Sequence, residues 1–268
     1  PGDLLDHIRP IWATPDQDRL FSDSRAERLK FFDRLVFAAR PSHAHAVAAY
    51  EKALRERLRL LSEAADRDGV ADPMWLDALE ARLAEHGASA AINRFEALAE
   101  LQAAIDARTA TAFPQGDLAL AGEAEARAAD GAGQDDISGL LAEGFQRARG
   151  RDGAAGRSLF GPHRTDLTAL HREKGRSASE GSSGEQKALV LNLLLAQLSR
   201  LADSEPRPVL LLDEAPAHLD DRRRAALFDE IQALGLQAVM TGTERGLFAA
   251  LEGQATFVRV SGGGFDPA

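Results

Sequence analysis

Cysteine is absent from all 268 residues, which excludes disulfides and thiolate metal ligation outright. Its absence suits a reducing, cytoplasmic setting. A basic excess is lacking too: 32 Lys and Arg stand against 42 Asp and Glu, a formal net charge of −10. Nucleic-acid binders usually carry a basic excess, so any DNA contact needs a local patch on an acidic body. No apolar run approaches the roughly 18 residues of a membrane span. The longest, Ala188 to Leu198, is broken by Asn192 and Gln197. The histidines form no spaced metal-ligand cluster. Spacing alone leaves a Ser/His/Asp triad open, but no Gly-x-Ser-x-Gly elbow occurs. The opening residues have neither the basic region nor the apolar core of a signal peptide. With Pro1 in place of an initiator Met, they read as the interior of a domain.

What is present suits a folded protein of one large domain or two ordinary ones, 44% hydrophobic and 28% charged. The spacing predicts a long amphipathic helix over 42–65, with Val47, Tyr50, Leu54, Leu58 and Leu61 as its stripe. Lys52, Arg55 and Arg59 share another side of it, either a DNA-contacting patch or a solvated face. Asp72-Pro73 then starts a second helix running toward Thr109, with Gly87 a weak point. The two make an antiparallel hairpin that could project as an arm. Residues 121–136 are small and acidic and read as a loop, followed by a short helix over 137–149 and a flexible joint at 151–156. From Ser158 the pattern becomes α/β. Strands are expected at 158–160, 167–171, 209–212, 238–240 and 255–260, and helices at 185–201 and 222–234. The helix at 185–201 is apolar almost all round and belongs inside a fold.

Two stretches could carry chemistry. Ser182-Ser183-Gly184-Glu185-Gln186 opens the buried helix, where free N–H groups and the positive dipole end favour an anion. The same residues also suit an ordinary N-cap. Val209-Leu210-Leu211-Leu212-Asp213-Glu214 is an apolar strand delivering two acids to a sheet edge. There Asp213 would hold Mg²⁺ through its waters and Glu214 would polarise an attacking water. A core strand leaving through a solvated acidic turn would look the same. Leu219-Asp220 reads as an N-cap, and Arg222-Arg223-Arg224 oppose the helix dipole, hinting at a partner surface. Thr241-Gly242-Thr243-Glu244 follows the next strand and could contact a γ-phosphate or be a simple turn. Gly161-Pro162-His163-Arg164-Thr165-Asp166 is dense in polar groups and reads as a constrained turn. The order of these features, more than any one of them, points to a single program.

That program resembles the C-terminal half of ABC-type ATPase heads in the branch shared with SMC proteins. Ile11-Trp12-Ala13-Thr14-Pro15-Asp16-Gln17-Asp18-Arg19-Leu20-Phe21 is similar to the W-x-T-P-x-x-D-R-L-F segment of the RecF family. Phe32-Asp33-Arg34-Leu35 and Tyr50-Glu51-Lys52-Ala53-Leu54-Arg55-Glu56-Arg57 look like that family's arm, and Gly161-Pro162-His163-Arg164 like its G-P-H-R turn. The resemblance implies an α/β fold, the C-terminal part of an ABC/SMC-like head with a helical arm. Residues 1–41 would be head leading into the arm, 42–150 the arm, and 151–268 the signature, Walker B and D-loop half. It implies Ser182, Ser183, Gly184, Glu185 and Gln186 as the signature facing ATP on the opposite protomer, and Asp213 and Glu214 as the catalytic Walker B pair. Asp220 would belong to the D-loop, and Thr243 would stand at the switch position. It implies ATP and Mg²⁺ as cofactors and an ATP-dependent homodimer without a membrane role. Double-stranded or gapped DNA, RecR, RecO and RecA are the implied partners, in replication, DNA-damage repair and the SOS response. One departure matters: no Gly-x-x-x-x-Gly-Lys-Ser/Thr loop occurs. In the family that loop precedes the Trp-x-Thr-Pro segment, so the chain is expected to be N-terminally truncated and inactive as an ATPase alone. A non-catalytic interaction module, or another ABC-type subunit such as a transporter's, remains the alternative.

Overall fold

The structure is a computed structural model that describes residues 7–66, 69, 71–109, 111–261 and 264–267. Its elements are β1 (Arg9–Ala13), α1 (Arg25–Ala39), α2 (Pro41–Asp66), α3 (Pro73–Ala107), β2 (Gly116–Ala121), α4 (Glu123–Ala129) and α5 (Gln134–Ala155). Then follow β3 (Asp166–His171), β4 (Arg176–Ser177), α6 (Ser183–Leu201), β5 (Pro208–Leu212), α7 (Asp221–Leu234), β6 (Gln237–Met240), β7 (Val258–Ser261) and β8 (Gly264–Pro267). No helix among the described residues is long and apolar enough to cross a membrane.

The leucine-rich α6 organises the larger hydrophobic core. A helix apolar all round must be covered on every side, and residues 186–198 of α6 are all buried. The cover comes from the 3-10 segment at 15–22, from α1, α3 and α7, and from the parallel sheet β1-β5-β6. In that sheet Ile11 lies opposite Leu210, and Trp12 opposite Leu211, which in turn faces Val239. Ile11, Leu210 and Leu212 turn into the core. Trp12 carries the Arg34 guanidinium over its ring at 4.5 Å. A second, antiparallel sheet, β2-β3-β4, packs Leu118 and Leu120 against the same core, and β7-β8 form a separate hairpin.

The hairpin of α2 and α3 forms as expected, capped at its second start by Asp72, which accepts from the Met74 and Trp75 N–H groups. Its buried face differs from the expected stripe. His43, Ala46, Tyr50, Ala53, Arg57 and Leu61 are buried, whereas Val47, Leu54 and Leu58 lie on the flank. The reason is a set of interior ion pairs that the apolar pattern does not reveal. Arg57 is fully buried and donates to Glu80 at 2.8 Å, to Asp152 at 2.6 Å and to the Phe145 carbonyl at 2.8 Å. Arg94 forks onto Asp33 at 2.7 and 2.8 Å and donates to Glu125 and to the Pro162 carbonyl. His43 sits on Asp33 at 3.0 Å. Burial works against the charge on Arg94, but Asp33 and Glu125 outweigh it and keep the guanidinium protonated.

Several expectations fail for local reasons. Residues 121–136 are not a loop: they end β2, form α4 and begin α5. Ala124 and Ala128 supply a buried face too small to register as apolar periodicity, and Glu125 is buried by its pair with Arg94. The short helix expected over 137–149 runs over the whole of α5, so 151–156 is its last turn and not a joint. There Asp152 is buried on Arg57 and Gly156 caps the end in the left-handed region. Residues 158–160 make no strand, whereas 9–13 and 116–121 do, without an alternating pattern to announce them. Gly87 does not interrupt α3. A Cβ there would meet Leu141, Pro162 and Tyr50 at 3.1–3.2 Å, so the glycine lets these elements close on the helix.

Candidate functional site

The acid pair sits where β5 ends. The Asp213 N–H donates to the Ala13 carbonyl of β1 at 2.9 Å, and Glu214 then turns to φ 51°, ψ 17°. It is the only non-glycine with positive φ among the described residues. That conformation costs roughly 1–2 kcal/mol for an ordinary residue, so its surroundings must hold it. Thr241, just past β6, supplies the hold. Its hydroxyl donates to Asp213 Oδ1 at 2.5 Å and accepts from the Glu214 N–H at 3.0 Å. Its own N–H donates to the Leu212 carbonyl at 2.9 Å. Thr243, the residue singled out from sequence, lies exposed two residues on, and it is Thr241 that touches the acids. The 3-10 turn Ala215–His218 leads to Asp220, which caps α7 by accepting from the Arg223 N–H at 2.8 Å. The three arginines are partly neutralised locally: Arg223 lies 3.7 Å from Asp220, and Arg224 pairs with Asp221.

At the start of α6, Ser182 and Glu185 form a capping box. Ser182 Oγ accepts from the Glu185 N–H at 3.3 Å, and the Glu185 carboxylate accepts from the Ser182 N–H at 2.8 Å. Lys174, the Ser182 N–H and Arg176 hold the Glu185 carboxyl down at about 2. Gln186 is turned inward and buried. It accepts from the Ser22 N–H at 3.2 Å and donates to Ser22 Oγ at 2.7 Å and to the Gly181 carbonyl at 3.0 Å. Next to it, the Lys187 ammonium, also buried, reaches Asp18 at 3.0 Å. Ser182 and Ser183 are exposed, Glu185 holds the turn at the surface with Lys174 and Arg176, and Gln186 fixes it from within.

Residues 14–22 join the two halves of the site, running from the rung beside Asp213 to the contact beneath Gln186. The sequence marks this segment as a motif but does not show what it holds. Replacing Gln186 by Leu leaves the Ser22 N–H without its partner. With Ser22 exposed, it is expected to cost about 0.5–1.5 kcal/mol of stability, the net worth of a hydrogen bond, measured by denaturant unfolding.

The hydrogen bonds of the Gly161–Asp166 turn go to partners other than the acid pair and residues 182–186. Gly161 has φ 121°, and a Cβ there would strike Tyr50 Oη at 2.5 Å. Tyr50 Oη meets His163 Nδ1 at 2.6 Å, Thr165 donates to Glu125, and Asp166 takes a fork from Arg28. Burial depresses His163 to about 4, so at neutral pH it is an uncharged hydrogen-bonding partner. The turn ties α2, α4 and α1 together. Lys52, Arg55 and Arg59 are exposed on α2, with Arg55 3.7 Å from Glu51 and Arg59 3.9 Å from Glu63.

For Mg²⁺, Asp213 offers the hard carboxylate oxygen that the ion takes, with its other oxygen held by Thr241. Among the described residues no group of three His, Cys, Asp or Glu could hold a metal alone.

A solved structure of the recombination mediator protein RecF with ATPrS superposes on the chain with a TM-score of 0.81. It is 20% identical and covers 99% of this chain and 69% of its own. A second, RecF with ATP, gives 0.77 over the same shares. At that identity the likeness establishes the fold, the one these two RecF structures share. No protein-family model matches the chain. Curated relatives are closer in sequence: the DNA replication and repair protein RecF of Caulobacter vibrioides is 56% identical over 98% of this chain and 69% of its own length. That of Caulobacter sp. strain K31 is 57% identical over 97% and 67%. The chain belongs to the RecF family of DNA replication and repair proteins.

Proposed function

We propose that the chain supplies the signature and Walker B half of an ATP-hydrolysing head that binds double-stranded or gapped DNA and helps load RecA. RecO and RecR act beside it, in the cytoplasm. The observation that carries this reading is the acid pair at the end of β5. Asp213 and Glu214 are delivered by the central strand of the parallel sheet, buried on one face, and are held there by Thr241. Bound Mg²⁺ would neutralise phosphate charge, with Asp213 orienting its waters. Glu214 takes the proton of the attacking water as the new oxygen–phosphorus bond forms, and ADP leaves with the electrons of the broken bond. Ser183 and Gly184 present N–H groups, and Ser182 its hydroxyl proton, at the start of α6 to the γ-phosphate held by a second protomer, with Asp220 beside that interface. Without a phosphate-cradling loop in its sequence, the chain alone is expected to show no turnover.

A chimera in which this chain replaces the matching stretch of the Caulobacter vibrioides relative tests the reading. ATP should raise its affinity for gapped duplex, and affinity should fall steeply with salt. If Lys52, Arg55 and Arg59 neutralise phosphates, changing all three to Ala lowers the slope of log affinity against log salt by roughly one for each phosphate no longer neutralised. An unchanged slope removes them from the interface. Affinity for gapped duplex that is indifferent to ATP contradicts the DNA-repair reading and favours a non-catalytic interaction module.

A further inference from the structure

We infer that Thr241 is the positioning residue of the hydrolytic site, the side chain that sets the aim of both acids. This rests on the reading of Asp213 and Glu214 as the hydrolytic pair. The geometry is specific. One hydroxyl does two jobs, donating its proton to Asp213 Oδ1 and accepting the Glu214 N–H. The first bond occupies one carboxylate oxygen of Asp213 and so fixes which oxygen faces outward. The second pins the peptide of a residue whose left-handed backbone is unfavourable for a side chain of its type. Asp213 is anchored in addition by its own N–H on β1, whereas Glu214 caps the following 3-10 turn without a side-chain bond. Losing the hydroxyl therefore frees Glu214 first.

The position of Thr241 makes this a local matter. It lies exposed at the end of β6, outside the hydrophobic core, and its backbone bond to Leu212 does not depend on its side chain. A hydroxyl on a β-branched side chain, stiff at χ1, holds one direction at little entropic cost. Valine keeps that shape and removes the hydroxyl; serine keeps the hydroxyl and loses the methyl group.

Steady-state hydrolysis by the full-length chimera tests the inference. Thr241→Val is expected to lower kcat by about 10- to 100-fold, the scale of an ångström misplacement of a reacting group, with KM and ATP affinity unchanged. Thr241→Ser should stay within roughly threefold of the parent, since the hydroxyl is retained. In the 268-residue chain itself, amide exchange at Glu214 should accelerate in Thr241→Val and not in Thr241→Ser. If Glu214→Gln abolishes turnover while Thr241→Val leaves kcat intact, the inference fails and the hydrolytic reading stands. If the parent chimera does not turn over ATP, or Glu214→Gln is as active as the parent, both fall. Equal loss in the Val and Ser variants, or a loss confined to KM, also overturns the positioning role.

Discussion

Replacing Glu214 by Gln in the full-length chimera should slow ATP turnover by about 10²–10⁴-fold while leaving ATP binding intact, the range for removal of a positioned general base. Gln matches Glu in size and keeps the acceptor oxygen, so the left-handed turn and the Glu214 N–H bond to Thr241 survive. What disappears is the ability to take a proton. Placement gives that loss its weight: the central strand of the parallel sheet ends at Leu212, directly before the pair, so the carboxylate is aimed by the fold. Single-turnover hydrolysis with saturating ATP reads the effect directly. A variant that hydrolyses at the parental rate would leave Glu214 an ordinary residue of a solvated turn.

Gly184→Asp is expected to separate stability from activity. A Cβ at Gly184 meets nothing within 4 Å, so the chain by itself has room for a larger residue. An added carboxylate in the first turn of α6 also suits the helix dipole, an effect between nothing and about 1 kcal/mol in favour of folding. Yet the same carboxylate would stand where a second protomer's γ-phosphate must approach. Hydrolysis should then drop by about 10²–10³-fold, the scale seen when a donor to a developing oxyanion is lost. Loss of activity with an unchanged unfolding midpoint marks an approaching partner, because nothing within the chain is disturbed. Activity retained in Gly184→Asp removes the turn from the ATP site.

Much of this architecture is legible in the residues alone. The leucines of α6 have no polar side to expose, the Asp72-Pro73 start needs only capping chemistry, and the acid pair announces itself by ending an apolar strand. The parts that escape share a physical cause: they depend on long-range partners. Arg57 and Arg94 look like surface residues in any local window and are interior because Glu80, Asp152, Asp33 and Glu125 meet them from distant segments. The stretch at 121–136 passes for a loop because alanine faces and a buried Glu125 leave no apolar stripe. Thr241 and Thr243 are equivalent as letters, and only the pairing of β5 with β6 decides which hydroxyl reaches the acids. Gln186 is legible as part of a motif, but its inward turn onto Ser22 is not.

If the proposed function holds, each chain lends its signature turn to a partner's ATP while its own acid pair works on the ATP it carries. Mixing the two inactive chimeras, Glu214→Gln and Gly184→Asp, puts this division of labour to the test in one assay. In a mixed dimer one composite site pairs an intact Glu214 from one protomer with an intact signature turn from the other. Random pairing of a two-fold dimer predicts recovery of about a quarter of parental turnover at a 1:1 ratio. A mixture as inactive as its components would mean that no site is shared between protomers, and the composite ATP site would have to be abandoned.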